Sequence, residues 1–265
     1  MGFLTTYAAG LRVAGNVPES IRVLEEIIAQ RESLLDHNSF LLANAYSSLG
    51  SALYEQGRTL DATEQFLAAL EIGRATLDPN DPSFAIDLNN VGSLYEEQGD
   101  YARAEPFLRE ALAIYRDHAE VEPYQLANLT QNLGRLLLLS GQPDEARALL
   151  STPIPDLRGA DWDLLRARQQ LHLGEWERRY GSATAALAHL DAVNIDWLGG
   201  RDSPRMGALL RWRGLVEWRL GHVERARDLL QQASEHWART RNPDYAGVGD
   251  AELGLAELEL ELGNT

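Results

Sequence analysis

The sequence predicts an all-α protein, a right-handed solenoid of helix-turn-helix repeats, on three observations. A glycine recurs along the 265-residue chain at intervals of 42, 42, 42, 40, 40 and 42 residues. A small residue lies seven positions before each of these glycines, and apolar residues keep the same period. Such a period is typical of one supersecondary unit stacked on copies of itself. The recurring glycines are Gly15, Gly57, Gly99, Gly141, Gly181, Gly221 and Gly263.

Each period predicts one pair of helices. The small residue marks the place where the two helices cross closely, and the glycine that follows ends the first helix at its C′ position. Apolar residues at spacings of three and four then lie on one face of the second helix. The predicted units cover residues 1–42, 43–84, 85–126, 127–166, 167–206 and 207–248, with a terminal helix over 249–263.

The regular pattern is interrupted in the fourth unit. Pro153 and Pro155 favour extended backbone at the residues before them, so we expect the second helix to end near Leu150. The following loop, 151–160, is either a hinge or a tolerated irregularity.

The chain itself stops just after a turn glycine, Gly263. This position of the C-terminus favours the interpretation that the sequence is a fragment of a longer protein.

Two stretches of the sequence carry a specific repeat signature. They resemble the tetratricopeptide repeat family, in its longer 42-residue, kinesin-light-chain-like variety found in bacterial regulators. The resemblance is strongest over 36–150 and implies a concave groove, lined by the first helix of each unit, that binds ligands. It also implies an inter-repeat loop at 78–82. The two stretches are LGSALYEQG at 49–57, followed by Ala62 and Phe66, and VGSLYEEQGDY at 91–101, followed by Ala104 and Leu108.

The composition of the chain argues against several classes of function. A net charge of −16 argues against nucleic-acid binding, which needs a basic surface. The chain has no cysteine and its 24 basic residues are all arginine, so thiolate and lysine chemistry are absent. We find no enzyme motif and no zinc motif, and therefore expect no catalytic residue, metal or cofactor. Without a spanning segment or secretory signal, we expect a cytoplasmic protein with no membrane partner.

A row of amide side chains is predicted on the groove face of the third and fourth units. Amides both donate to and accept from an extended peptide backbone, and the row resembles the asparagine rows of kinesin-light-chain-type grooves. The alternative is that these amides tie adjacent helices together. The row consists of Asn89, Asn90, Asn128, Gln131 and Asn132.

A second row on the predicted groove face is cationic and aromatic. Guanidinium groups suit carboxylates, and tryptophans are common binding anchors. The alternatives are pairing of these arginines with acidic residues of the chain and packing of the tryptophans in the core. The second row consists of Arg135, Arg168, His172, Arg178, Arg211, Trp212 and Trp218.

These features favour a non-enzymatic protein-interaction scaffold. It would bind an extended peptide or partner segment in the concave groove, with an acidic partner as one option. One alternative is a sensory or regulatory repeat region of a larger bacterial kinase or transcription regulator. Another is a self-assembly module, and the sequence leaves open a monomer or a weak homodimer.

Overall fold

The protein is described by a computed structural model, in which the helical prediction is confirmed. Among the described residues there are thirteen α-helices, one short 3-10 helix and no strand. The described residues are 2–33, 40–76, 81–118, 122–203, 205–240 and 246–263, without the side chains of residues 2, 3, 33, 40, 246–248 and 250.

The α-helices follow one another as six pairs and a final single helix, as the period predicts. A 3-10 helix, Ile195–Leu198, follows the fifth pair. The pairs are α1 (Gly2–Val13) and α2 (Val17–Ser33), α3 (Phe40–Glu55) and α4 (Thr59–Thr76), α5 (Pro82–Glu97) and α6 (Tyr101–Asp117), α7 (Pro123–Leu139) and α8 (Pro143–Leu150), α9 (Ala160–Tyr180) and α10 (Ala183–Asp191), and α11 (Arg205–Arg219) and α12 (Val223–Thr240), followed by α13 (Ala246–Glu261).

The chain divides into two compact units, Met1–Ser140 and Gly141–Thr265. In the first unit each helix from α1 to α7 packs against the next, and α1 and α5 also contact α3 and α7 respectively. In the second unit each helix from α8 to α12 packs against the next one along the chain, and α11 also contacts α9 and α13. The hinge at 151–160 and the single-array organisation stay predictions.

In four of the pairs the two helices cross closely at the recurring small residue, as predicted: at Gly50, Gly92, Gly174 and Gly214. A Cβ added to Gly92 would lie 2.7 Å from Cδ2 of Leu108 and 3.3 Å from the carbonyl oxygen of Ala104. The same relation joins Gly214 to Leu230, again sixteen residues later, with 2.9 Å between the added Cβ and Cγ. A side chain at these positions would therefore force the helices apart.

The first pair shows how a polar residue is accommodated at such a crossing. Ser20 occupies the position where the later pairs carry alanine, and it is 1% exposed. Its hydroxyl donates a hydrogen bond to the carbonyl oxygen of Ala8, the small residue of the first helix, at 2.7 Å. The buried hydroxyl is thus satisfied by the neighbouring helix, as burial requires.

Glycine ends the first helix of most pairs in the left-handed conformation. At Gly99, φ is +76°, its N–H donates to the carbonyl of Glu96, and the next N–H donates to the carbonyl of Tyr95. This is a Schellman arrangement. At Gly181 the first helix also ends, but φ is −114°, outside the left-handed region. There the Glu177 carboxylate lies against the turn and accepts from the N–H of Ser182 at 3.2 Å.

The fourth pair ends as the prolines predict, since α8 finishes at Leu150. The loop that follows is bound to α9. The Gln169 side chain donates to the carbonyl oxygens of Leu150 and Thr152, each at 2.8 Å. Arg166 donates to two more loop carbonyls, those of Pro155 and Leu157.

Two further expectations concern the links between pairs. Most of the predicted loop at 78–82 lies outside the described residues; within it, Asp81 caps α5 by accepting from the N–H of Ser83 at 2.8 Å. In the fifth pair the period places Val193 in the second helix, but α10 ends at Asp191. The 3-10 helix then buries Leu198 completely, and Val193 is buried in the same apolar cluster although it lies beyond the helix.

The helix crossing can be tested by filling it. We expect Gly92→Val to lower the free energy of unfolding by about 1–3 kcal/mol, because the added side chain overpacks the contact with α6. The measurement is urea unfolding followed by circular dichroism. The control is Gly249→Val on α13, where an added Cβ meets nothing within 4 Å. Equal losses in the two variants would contradict the crossing as the cause.

Candidate functional site

Two adjoining cavities in the first unit are lined mainly by the first helices of the pairs. Their volumes are about 450 Å³ and 550 Å³, and both are lined by Arg12, Ser51 and Asn90. These residues lie on α1, α3 and α5. The smaller cavity is rich in uncharged hydrogen-bonding groups: Thr5, Thr6, Ser20, Asn44, Ser47, Ser48, Ser51 and Asn90.

The predicted amide row has two kinds of member in the structure. Asn90 is half-buried and lines both cavities. Asn132 is buried, and its Nδ2 donates to Oδ1 of Asn89 at 3.0 Å, which ties α7 to α5. Gln131 is 1% exposed, and Asn128 is half-buried. Asn90 is therefore placed to meet a ligand, whereas Asn89 and Asn132 bond to each other.

The two arginines that line the cavities of the first unit are paired with carboxylates. Arg135, which lines the larger cavity, lies 2.8 Å from the Glu96 carboxylate. The Glu96 side chain is only 1% exposed. Arg12 forms an ion pair with Glu55, which joins α1 to α3. A buried carboxylate needs such a partner, so these arginines stabilise helix contacts as well as lining the cavity.

One carboxyl group beside the smaller cavity has an unusual environment. Ser47, which lines that cavity, donates its hydroxyl hydrogen bond to Asp87 on α5. Burial raises the pKa of Asp87 to about 6, and the hydrogen bond from Ser47 only partly opposes this. The sequence analysis missed Asp87; its flanking apolar residues, Phe84, Ala85 and Leu88, are the signal that indicates burial.

The second unit has a cavity of about 550 Å³ lined by α9, α11 and α13. It brings together three of the predicted residues, Arg178, Arg211 and Trp218. The sequence analysis did not propose the residues that α13 adds, because that helix was expected only as a terminal element. These residues are Leu253, Gly254, Glu257 and Glu261.

A buried carboxylate organises the arginines at the α9 edge of this cavity. Glu175 accepts from Nε and Nη2 of Arg178, at 2.6 Å and 2.8 Å, and from Nε of Arg179 at 2.6 Å. Burial by itself would raise the pKa of Glu175, but the two guanidinium groups outweigh it and hold the pKa below its usual range. One carboxylate thus serves two cations.

The tryptophans of the second unit occupy different environments. Nε1 of Trp218 donates to the Glu261 carboxylate at 2.9 Å at the cavity wall. Trp212 packs against a buried apolar cluster and makes an edge contact with His172, with 6.3 Å between ring centroids. His172 is buried, and Arg168 is half-buried on α9. The structure therefore brings Trp218, and not Trp212, to this cavity.

Neither a metal-binding cluster nor a membrane-spanning helix is found among the described residues. No group of three or more His, Cys, Asp or Glu residues in that part of the chain is arranged to hold a metal ion. Likewise, none of the described helices combines the length and apolar character needed to cross a membrane.

Comparison with known proteins gives matches to family models over much of the chain. One model described as a tetratricopeptide repeat matches residues 3–74 and 41–117. A second model with the same description matches residues 95–168. Together these matches cover more than half of the chain.

One curated relative and several known structures are similar to this chain. An uncharacterized protein, ycf37 of Pyropia yezoensis, is 32% identical over 82 residues, which span 31% of this chain and 41% of that protein. The chain thus spans about two fifths of the length of the curated relative that it matches. TPR-like repeats from Podosopora anserina, described as those of a kinesin light chain, align over 90% of this chain and 94% of theirs, at 17% identity and a TM-score of 0.51.

The quorum sensor NprR of B. thuringiensis has a similar fold in two structures. The apo form aligns over 99% of this chain and 82% of its own, at 15% identity and a TM-score of 0.69. The form in complex with its cognate peptide NprX aligns over 99% and 73%, at 17% identity and a TM-score of 0.68. At these identities the likeness is one of fold.

The raised pKa of Asp87 predicts a pH-dependent stability. In the unfolded chain this carboxyl ionises near pH 4, whereas in the folded protein it ionises near pH 6. Folding therefore favours the protonated carboxyl group. The contribution of this group to the free energy of unfolding is lost as the pH rises from about 4 to 6. We expect Asp87→Asn to stabilise the protein by on the order of 1–3 kcal/mol at pH 7.5 and much less at pH 4.5.

Urea unfolding of wild type and Asp87→Asn at the two pH values measures this difference. The control is Asp61→Asn, since Asp61 lies outside the cavities and pairs with Arg58 on an exposed surface. A stability difference for Asp87→Asn that does not change with pH would contradict the prediction.

Proposed function

Because the chain belongs to the tetratricopeptide repeat family, we propose that it is a scaffold that binds an extended peptide or partner segment. The binding face is formed by the first helices of the pairs. The observation that carries this proposal is that the cavities described in each unit are lined mainly by these helices. The fold is one typical of interaction scaffolds rather than of enzymes.

The chemistry of the first unit's cavities supports a peptide as the ligand. An extended peptide presents alternating N–H donors and carbonyl acceptors that need partners when they leave water. Asn90 carries both a donor and an acceptor, and the serine and threonine hydroxyl oxygens beside it supply further acceptors. The alignment of NprR, which is described as binding its cognate peptide, with nearly all of this chain supports the same conclusion.

The acidic character of the partner is supported by the second unit. Arg178, Arg211 and Arg219 line one cavity in a chain of net charge −16. Guanidinium groups bind carboxylates through charge-assisted hydrogen bonds. We therefore include an acidic residue in the proposed partner. The predicted residues best placed to contact the partner are Asn90, Arg178, Arg211 and Trp218.

A second candidate function is that of a regulatory region in a larger bacterial protein. It is favoured by the fold shared with NprR, which is described as a quorum sensor. In that case the peptide would act as a signal that controls another domain. Sequencing the gene on either side of the region that encodes residues 1–265 tests this; a catalytic or DNA-binding domain in the same reading frame supports it, and flanking stop codons contradict it.

The scaffold proposal is tested with an immobilised library of random twelve-residue peptides. We expect the full chain to retain a subset, and Asn90→Ala to raise the Kd of the retained peptides about tenfold, since ~1.4 kcal/mol of lost hydrogen bonding corresponds to that factor. Fluorescence anisotropy with labelled copies of those peptides measures the Kd.

The matched control is Asn16→Ala. Asn16 is exposed in the link between α1 and α2 and lies outside both cavity linings. It should leave the Kd within about twofold of wild type. Retention of no peptide by the wild-type chain, or equal losses in the two variants, would count against binding at this face.

A further inference from the structure

We infer that the smaller cavity of the first unit binds the ammonium group of a lysine side chain of the partner, with the Ser47 hydroxyl oxygen as acceptor and the Asp87 carboxylate behind it as counter-charge. This inference rests on the proposed function and names one side chain that the first unit recognises. The 24 basic residues of this chain are all arginine, so a second copy of the chain does not supply the lysine.

Three serine hydroxyls that line the cavity already donate their protons to the protein. Ser20 donates to the carbonyl oxygen of Ala8 at 2.7 Å. Ser51 donates to the carbonyl oxygen of Ser47 at 3.1 Å, and Ser47 itself donates to the Asp87 carboxylate. A hydroxyl carries one proton and two lone pairs. These three oxygens therefore remain as acceptors, and the group that binds them must be a hydrogen-bond donor.

Asp87 gives this wall of the cavity a negative charge above about pH 6. Burial raises the pKa of its carboxyl group to about 6, and no basic residue in the described part of the chain opposes that rise. A hydrogen bond to a charged acceptor polarises the hydroxyl that donates it, so the Ser47 oxygen is a stronger acceptor when Asp87 is ionised. A cation bound at Ser47 supplies the partner that a buried carboxylate needs.

The helices packed around Asp87 do not supply that cation. From α3 the group that meets Asp87 is the Ser47 hydroxyl, and from α6 it is the neutral phenol of Tyr115. Burial, together with the charge of Asp87, raises the pKa of this phenol. Arg116, at the end of α6, is exposed. The other arginines of α4, α6 and α7, and the one that lines the cavity from α1, pair with other carboxylates: Arg74 with Glu110, Arg103 with Asp100, Arg109 with Glu105, Arg135 with Glu96 and Arg12 with Glu55.

The lining favours lysine over the other cationic groups of a peptide. Its acceptors are separate hydroxyl and amide oxygens, which suit the three diverging donors of an ammonium group, whereas the planar fork of arginine suits a carboxylate. None of the described lining residues is acidic. Ala9, Leu24 and Ile86 also line the cavity, and Ile86 is 44% exposed. A lysine covers Ile86 with its aliphatic stem, which a terminal ammonium group lacks.

The experiment uses the full chain and an immobilised library of random twelve-residue peptides with one fixed central lysine. Both peptide ends are blocked, and lysine, histidine and acidic residues are left out of the random positions, so the central side chain is the only ammonium group. Retained peptides whose Kd rises in Asn90→Ala occupy the first unit. These peptides are resynthesised with lysine, norleucine or arginine at the fixed position, and fluorescence anisotropy measures their Kd. Norleucine keeps the aliphatic stem and lacks the ammonium group.

At pH 7.5 we expect norleucine to raise the Kd for wild type at least about tenfold, and arginine to raise it as well. Asp87→Asn keeps an acceptor for Ser47 but removes the charge. In that variant lysine and norleucine peptides should bind within about twofold of each other, because the two changes remove the same interaction. The matched control is Asp61→Asn, on an exposed surface outside both cavities, which should keep the preference for lysine. Circular dichroism checks that both variants are folded.

A pH series on the wild-type protein tests the same interaction without a variant. Lysine stays charged throughout, whereas a carboxyl group with a pKa of about 6 is only about one-tenth ionised at pH 5.0. The Kd of the lysine peptides should therefore rise about tenfold between pH 7.5 and pH 5.0, because the apparent affinity falls with the binding-competent fraction. The Kd of the norleucine peptides should change by less than about twofold, as should that of the lysine peptides for Asp87→Asn.

The outcomes separate this inference from the scaffold proposal. Retained peptides that bind equally well with lysine, norleucine or arginine, that keep their lysine preference in Asp87→Asn, or that are all insensitive to Asn90→Ala overturn the inference alone. A Kd that does not change with pH does the same. Retention only from the fully random library also overturns the inference alone, and retention of no peptide from either library overturns both.

Discussion

The close crossing of paired helices at a residue without a side chain is the constraint on which the rest of the structure depends. At Gly92 the backbone of α5 lies against the Leu108 side chain and the Ala104 carbonyl of α6. The same contact recurs at Gly50, Gly174 and Gly214, each with an apolar residue sixteen positions later. Because packed interiors tolerate little added volume, this contact sets how the two helices of these four pairs lie against each other, and therefore which face of the first helix remains uncovered.

Arginines and buried carboxylates form a second layer of organisation. Glu96, Glu175 and Glu217 are almost completely buried, and each is bonded to cationic or imidazole groups: Arg135 for Glu96, Arg178 and Arg179 for Glu175, and His222 and Arg225 for Glu217. Removing one partner of such a pair is strongly destabilising, because it leaves a buried charge uncompensated. Several arginines on the predicted groove face are therefore needed for the fold, whatever they also bind.

The two units offer different chemistry on the first helices of their pairs. The first unit presents mainly hydroxyls and amides. The second presents guanidinium groups and an indole, and α13 adds an exposed leucine beside them. The two faces can differ because their side chains take no part in the helix crossings.

The sequence by itself determined the helices and their pairing, because the glycine and small-residue period expresses local backbone and packing requirements within one repeat. It also located the end of α8 at Leu150, since proline acts on the residues beside it. At Gly181 it located the end of α9 but not the turn geometry, because there the Glu177 side chain accepts from the N–H of Ser182. Only the tertiary structure decided that Asn132 bonds to Asn89 while Asn90 meets a cavity, and that α13 brings Leu253 and Glu261 to Trp218. The two hydrogen bonds join residues 43 positions apart. Which of several neighbouring side chains makes such a contact depends on how the packed helices face one another. The period of the sequence does not specify that orientation.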